Sequence, residues 1–295
     1  MKNSFFVLLA GALWGILSIF VHILNGAGFG ALACVEVRAF FTAVLLFFYL
    51  LVTDRRKLKI NLRDLPVFLG TGLLSIVFFN YCYFKAIELT GSAAVPALLL
   101  YTAPLFVMLL SALLFHEKIT RSKILAAVLT FIGLGFVTGA FSGGESLSGQ
   151  VVLLGLGAGL GYALYSIFGK CVAGKYDAST ITFYTFAVAA VGVLPLSGPA
   201  DYAPLLLHVS NLLPGLGLAV FSTVLPFLFY TKGLTGMDAG KAAILATIEP
   251  FVAALVGAAF FHEQFTASKI VGMVLILGAI VYLNAAPQLA RPRRS

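Results

Sequence analysis

Phe115-His116-Glu117-Lys118-Ile119-Thr120-Arg121-Ser122-Lys123-Ile124 is written a second time, 146 residues on, as Phe261-His262-Glu263-Gln264-Phe265-Thr266-Ala267-Ser268-Lys269-Ile270, with seven of ten positions identical. Twelve residues before each histidine a proline stands in an apolar run, Pro104 and Pro250, so the match reaches back through a whole helix. Other helices carry it further. Trp14, Ser18-Ile19-Phe20 and His22 align with Tyr162, Ser166-Ile167-Phe168 and Lys170 at an offset of 148, and Tyr83 and Lys85 with Tyr230 and Lys232 at 147. One half of the chain is a copy of the other, with small insertions between the helices.

What each copy consists of follows from composition. Apolar residues make up 61% of the 295 and charged residues 10%, with a mean hydropathy of +1.05; a soluble domain is about one quarter charged. Long apolar runs recur throughout, which predicts an all-α membrane protein of ten spans at about 5–24, 31–52, 65–86, 92–114, 121–140, 149–170, 179–197, 210–232, 239–261 and 267–286. The first run has the charge and length of a signal peptide but no clean cleavage site, and the duplication needs it as a retained helix. The expected organisation is a first repeat over 1–141, a Gly/Ser-rich connection over 142–148, a second repeat over 149–286 and a basic tail over 287–295. Cys34, Cys82 and Cys171 have neither disulfide-framework nor zinc-site spacing and read as small buried hydrophobes; no metal site is expected.

With the N-terminus in the cytoplasm, sixteen lysines and arginines fall on the inner side against Lys85 and Lys269 outside, with Arg38 inside a span. That bias orients a multi-pass protein of the cell membrane, plasma or inner, with both termini cytoplasmic. The net charge of +8 thereby reports orientation, and no nucleic-acid partner is expected. Five spans per repeat is an odd number, so the second copy enters the bilayer upside down. Inverted repeats are a frequent plan of secondary transporters.

The chain resembles the drug/metabolite transporter superfamily, in its ten-span branch built of two EamA repeats. The residues that carry the resemblance are Leu13-Trp14-Gly15, Arg38, Tyr83 with Ala86-Ile87, and Pro104 with Glu117, then Tyr165, Tyr230, Pro250 and Glu263. The resemblance implies a metabolite carrier whose cavity lies between the repeats, lined by helices 1, 3, 4, 6, 8 and 9, with members of similar length that export amino acids.

Glu249 stands mid-span before Pro250, where an ionised side chain costs about 2.5 to 3.5 kcal/mol on insertion scales. It is a candidate for taking a coupling proton or a substrate amine; the alternative is a protonated carboxyl bonded between helices. Arg38 can attract a carboxylate or lock two helices. Because the family pattern carries an arginine here across many substrates, the lock is the expectation. Glu36, two residues away on the same helix, cannot face it. Trp14, Asn80, Tyr83, Tyr101, Tyr162 and Tyr165 share a mid-membrane depth, where aromatic residues are not at their usual interfacial place, and form a candidate cavity wall; helix packing is the alternative. The paired His-Glu sequences do not have metal-ligand spacing. Glu117 and Glu263 are expected to bond the free amides at the start of the following helix, with Thr120 and Thr266 as N-caps.

These readings combine into a secondary transporter moving a small metabolite, an amino acid or related compound, by alternating access through a central cavity. Its partners are that substrate, the lipid bilayer and protons as a candidate coupling ion. No ATP motif or other cofactor signature is present, and no span carries the paired aspartates or His/Glu zinc motif of an intramembrane enzyme. Efflux of cationic drugs on the same fold, with Glu249 as anchor, and a non-transport scaffold are the alternatives.

Overall fold

A computed structural model describes residues 2–141 and 148–289. The expected connection, apart from Ser148, and Arg291, Arg293 and Arg294 of the basic tail lie outside the described residues. Among the described residues, ten helices are long and apolar enough to cross a membrane: α1 (Lys2–Gly26), α2 (Ala31–Thr53), α3 (Leu62–Thr90), α4 (Ala94–Phe115), α5 (Arg121–Thr138), α6 (Gly149–Val172), α7 (Ala178–Ser197), α8 (Val209–Thr235), α9 (Ala239–Phe261) and α10 (Ala267–Ala285). Apolar sequence makes them membrane-compatible, and the helix makes them possible, because lipid offers no partner to a free peptide group. The helix α3 runs to Thr90, past the expected end at residue 86. The apolar count stops early at Lys85 and Glu88, which pair on one face at 2.8 Å and so continue the helix.

An even number of spans leaves both ends of the described chain on one face, here the terminal face, and the turns 27–30, 91–93 and 262–266 on the distal face. The duplicated stretch explains two turns of the terminal and distal faces together. His116 and His262 adopt left-handed backbone (φ 56° and 55°), the only non-glycine residues to do so among those described. In each case the histidine amide and the following glutamate amide close on one carbonyl, Ser111 O or Gly257 O. The chain reverses at the histidine, and the glutamate is thrown sideways.

Prolines act one turn upstream of their own position. Pro104 and Pro250 cannot donate to the carbonyls of Leu100 and Ala246, and α4 and α9 are both interrupted there, at Tyr101–Thr102 and at Thr247. The exposed carbonyls meet glycines of the other repeat. A methyl group on Gly11 of α1 would lie 2.6 Å from Ala246 O, and one on Gly159 of α6 3.0 Å from Leu100 O and 2.6 Å from Thr102 Oγ1. Small residues at such crossings are what lets membrane helices touch through their backbones. We therefore expect Gly159→Ala to lower stability by about 1 to 3 kcal/mol, while Gly26→Ala, with nothing within 4 Å, leaves it unchanged; thermal unfolding in detergent compares the two.

The largest helix contacts are either between repeat-related helices or have a counterpart in the other repeat. α5 packs on α10 and α2 on α7, while α1 lies against α8 and α9 as α6 lies against α3 and α4. Shared irregularities follow the same rule. α3 and α8 each widen into π-helix, over Gly70–Phe78 and Val220–Val224, and in each a hydroxyl reaches the carbonyl five residues back, Ser75 to Gly70 (3.3 Å) and Thr223 to Leu218 (3.0 Å). On the terminal face the loop after α2 and the first turn of α3 are clamped to the loop after α6 by Lys57–Asp177 (2.6 Å) and Lys175–Asp64 (2.5 Å). The Asp64 carboxylate holds the Lys175 ammonium above the ordinary lysine value, so this clamp stays charged through neutral pH. On the distal face the matching junction is apolar, formed by Phe29 and Tyr202 with Leu24 and Leu218.

Candidate functional site

A cavity of about 580 Å³ enters from the distal face, past Ala31, Ala94, Phe261 and Lys269, and ends mid-membrane on Tyr165, Ser166 and Tyr230. Trp14, Asn80, Tyr83, Tyr101, Tyr162, Tyr165, Glu249 and Arg38 all line it. Besides the six helices that the family resemblance implies, α2 contributes Arg38, α5 Thr138 and α10 Lys269.

The wall is aromatic because four helices, α1, α3, α6 and α8, bring rings to one level. Trp14 on α1 has its ring 5.2 Å from that of Phe227, 5.4 Å from Tyr230 and 6.3 Å from Tyr162; Phe79 continues the surface from Tyr162 at 5.5 Å to Tyr83 at 6.2 Å. Offset and edge-on rings of this kind form a stiff apolar surface with hydroxyls at its rim. Polar groups are few. The Tyr162 hydroxyl donates to Glu249 Oε2 at 3.1 Å, joining α6 to α9. Asn80 spends its amide on Ile76 O at 2.8 Å, within its own helix. The helix break before Pro250 is what brings Glu249 into this cavity, at the first turn of the distal half of α9.

Below the floor the protein is closed by polar contacts, some within the second repeat and some between the two repeats. Ser166 bonds the Tyr230 hydroxyl and Tyr165 bonds Thr231, each at 2.7 Å. Lys170 donates to Met237 O and to Leu234 O (3.3 Å) and lies 3.8 Å from Glu117. Glu117 accepts from the amides of Ala239 (2.9 Å) and Gly240 (3.4 Å), and Lys123 pairs with Asp238 at 2.9 Å.

Three expectations need correction. Glu117 caps α9 of the other repeat and not the following helix α5, because the left-handed turn at His116 swings the carboxylate across the gap between repeats. Glu263 bonds no backbone amide at the start of α10; it pairs with the Lys269 side chain at 2.7 Å, folded over Gly257. Thr120 and Thr266 do accept from the amides of Lys123 (3.3 Å) and Lys269 (3.2 Å), as N-caps. Arg38 locks no helices: it makes no hydrogen bond or ion pair with a described residue. Ser166, Lys170, Thr231 and Phe227 were not singled out from sequence as site residues. For the first two the signal was present, since they align with Ser18 and His22 of the first repeat; Thr231 and Phe227 gave none.

The closed side and the open side use the same positions. A void of about 10 Å³ under the floor is lined by Ala243, Ala246, Thr247, Ala103, Pro104, Val107 and Ser166. Their repeat-mates Ala97, Leu100, Tyr101, Glu249, Pro250, Ala253 and Ser18 line the large cavity. The mate of the closed Ser166–Tyr230 pair is Ser18 with Tyr83, and Ser18 Oγ is buried without a partner among the described residues.

The EamA-like transporter family model matches residues 1–139 and again 149–285. An uncharacterized transporter of Archaeoglobus fulgidus is 32% identical over 71% of this chain and 74% of its own length. The threonine/homoserine exporter RhtA of Salmonella typhimurium is 29% identical over 70% of this chain and 67% of its own, and the protein PecM of Dickeya dadantii 27% over 76% and 75%. A crystal structure with 18% sequence identity superposes with a TM-score of 0.82 over 98% of this chain and 99% of the other, a likeness of fold.

Proposed function

Because the chain belongs to the EamA-like transporter family, a family of transporters and not of enzymes, we propose that it carries an amino acid or closely related metabolite across the cell membrane by alternating access between two inverted repeats, 1–141 and 149–286. The observation that carries the proposal is the pair of repeat-related spaces, one about 580 Å³ and open, the other about 10 Å³ and collapsed. If the repeats exchange conformations, the spaces exchange too, and a solute held at Tyr101, Tyr162 and Glu249 changes sides. With both termini cytoplasmic, as the distribution of basic residues supports, the present conformation faces outward.

The amino-acid reading draws on the cavity's chemistry, flat aromatic walls with a few hydroxyls and a carboxylate, and on the relative named as a threonine/homoserine exporter. In this reading Glu249 receives the substrate ammonium or a coupling proton. Purified protein in liposomes, given a labelled amino-acid panel including threonine and homoserine, should accumulate at least one of them, faster with a pH gradient than without. Movement of quaternary ammonium dyes with no movement of any amino acid would replace this reading by efflux of cationic compounds, the second reading that Glu249 supports.

A further inference from the structure

We propose that Arg38 is the anion-binding residue of the cavity and receives the carboxylate of the transported solute. The inference rests on the cavity being the substrate site, and its starting point is a charge without a partner. Arg38 is 9% exposed and lines the cavity, yet the described residues give its guanidinium no hydrogen bond and no ion pair, and its Nε is buried with nothing to bond. An arginine that served to lock α2 to a neighbour would spend its five N–H groups on that neighbour's carbonyls or carboxylates. Arg38 spends none.

No charged group nearby pairs with it among the described residues. Glu36 stands two positions along α2, on another face, and is not part of the cavity lining. Glu249 shares the cavity, but it bonds Tyr162 and makes no ion pair with the arginine. Lys269, a second cation on the wall, is neutralised by Glu263 at 2.7 Å. Among the described residues of the cavity, Arg38 is thus the cation left without a carboxylate. Guanidinium keeps its proton at any pH the protein meets, and an unpaired ion away from bulk water is costly, so the site favours a small anion. A carboxylate matches the planar fork with two parallel hydrogen bonds.

The placement of one positive and one negative group in the same cavity also narrows the substrate class. A zwitterion satisfies both, its carboxylate on Arg38 and its ammonium toward Glu249. A cationic drug meets the arginine's repulsion, which weighs against the efflux alternative.

The chain contains one tryptophan, and Trp14 lines this cavity, so its fluorescence reports on ions that enter. In the purified full chain, iodide should quench Trp14, acetate should relieve that quenching and acetamide should not. In Arg38→Gln the iodide effect should fall about tenfold while quenching by neutral acrylamide is unchanged, which also shows that the cavity is intact. Arg38→Lys, which keeps the charge and loses the fork, should retain iodide quenching and weaken acetate competition several-fold; it serves as the second variant if the glutamine form does not fold. Equal iodide quenching in wild type and Arg38→Gln, or acetate and acetamide competing equally, overturns the proposal. If acetate competes through Arg38 but no amino acid moves in the liposome panel, the anion subsite stands and the amino-acid function falls.

Discussion

Glu117→Gln is expected to open the terminal side of the protein and close the distal side. Glu117 is the point where the first repeat holds the first amides of α9, at 2.9 and 3.4 Å, with Lys170 at 3.8 Å. Its repeat-mate Glu263 holds only Lys269 of its own turn, although the corresponding amides, those of Ala93 and Ala94, lie at the distal start of α4. If the repeats exchange conformations as proposed, the roles are expected to exchange: Glu263 would reach α4, Ser18 would reach Tyr83, and Glu117 would retire. Hydrogen bonds to a charged group contribute about 1.5 to 3 kcal/mol each, so removing the charge from the engaged copy should shift the balance of states by tenfold or more. Single cysteines in a background lacking Cys34, Cys82 and Cys171 read this directly. Ala97→Cys, in the open cavity, should react quickly with a membrane-impermeant thiol reagent from the distal side, and Ala243→Cys, in the collapsed void, hardly at all from either side. Adding Glu117→Gln should slow the first and speed the second from the terminal side. Unchanged rates at both positions would mean that Glu117 holds the fold and not the state.

Glu249→Gln should reduce amino-acid transport by about tenfold to a hundredfold, the size of one lost charge-assisted hydrogen bond, with little effect on folding. Glutamine keeps an acceptor for the Tyr162 hydroxyl, now 3.1 Å from Oε2, and loses only the charge and the exchangeable proton. Tyr162→Phe, which removes the bond and leaves the charge, should cost less. Accumulation driven by a pH gradient should vanish with the glutamine variant. A variant that is slow but still driven by the gradient would leave Glu249 as the ammonium anchor and move proton coupling elsewhere, and one with wild-type rate and pH response would remove Glu249 from both roles.

Much of this arrangement could be read in advance from one chain. Ten spans followed from apolar runs of bilayer length, and the cavity wall from tyrosines and a tryptophan at a depth where they have no interfacial reason to be. Glu249, Arg38 and the six wall residues fall in one cavity because depth along a helix is legible from counting. What a side chain reaches across a gap is not. Capping rules assign Glu117 to the helix that follows it in sequence, and only the left-handed turn at His116 reveals that it serves another. The expectation that Arg38 locks two helices failed for a related reason, since no pattern along a chain shows whether a charge finds a partner in space. The π-helical widenings of α3 and α8 had no sequence signal, because one extra residue per turn leaves an all-apolar run looking the same.

The two copies of the Phe-His-Glu turn are alike in sequence and in backbone, and unlike in what surrounds them. A carrier made of identical halves would have no preferred side, each state being the mirror of the other in energy. Here the symmetry is broken by a few substitutions. The terminal closure has Lys170 and Asp238 where the distal one would have His22 and Ser92, so it gains a lysine on two carbonyls and an ion pair with Lys123 that its mate cannot form. In the proposed cycle the resting posture is therefore expected to be a property of divergence: the changes that made the second copy different from the first would be the ones that tell an empty carrier which way to wait.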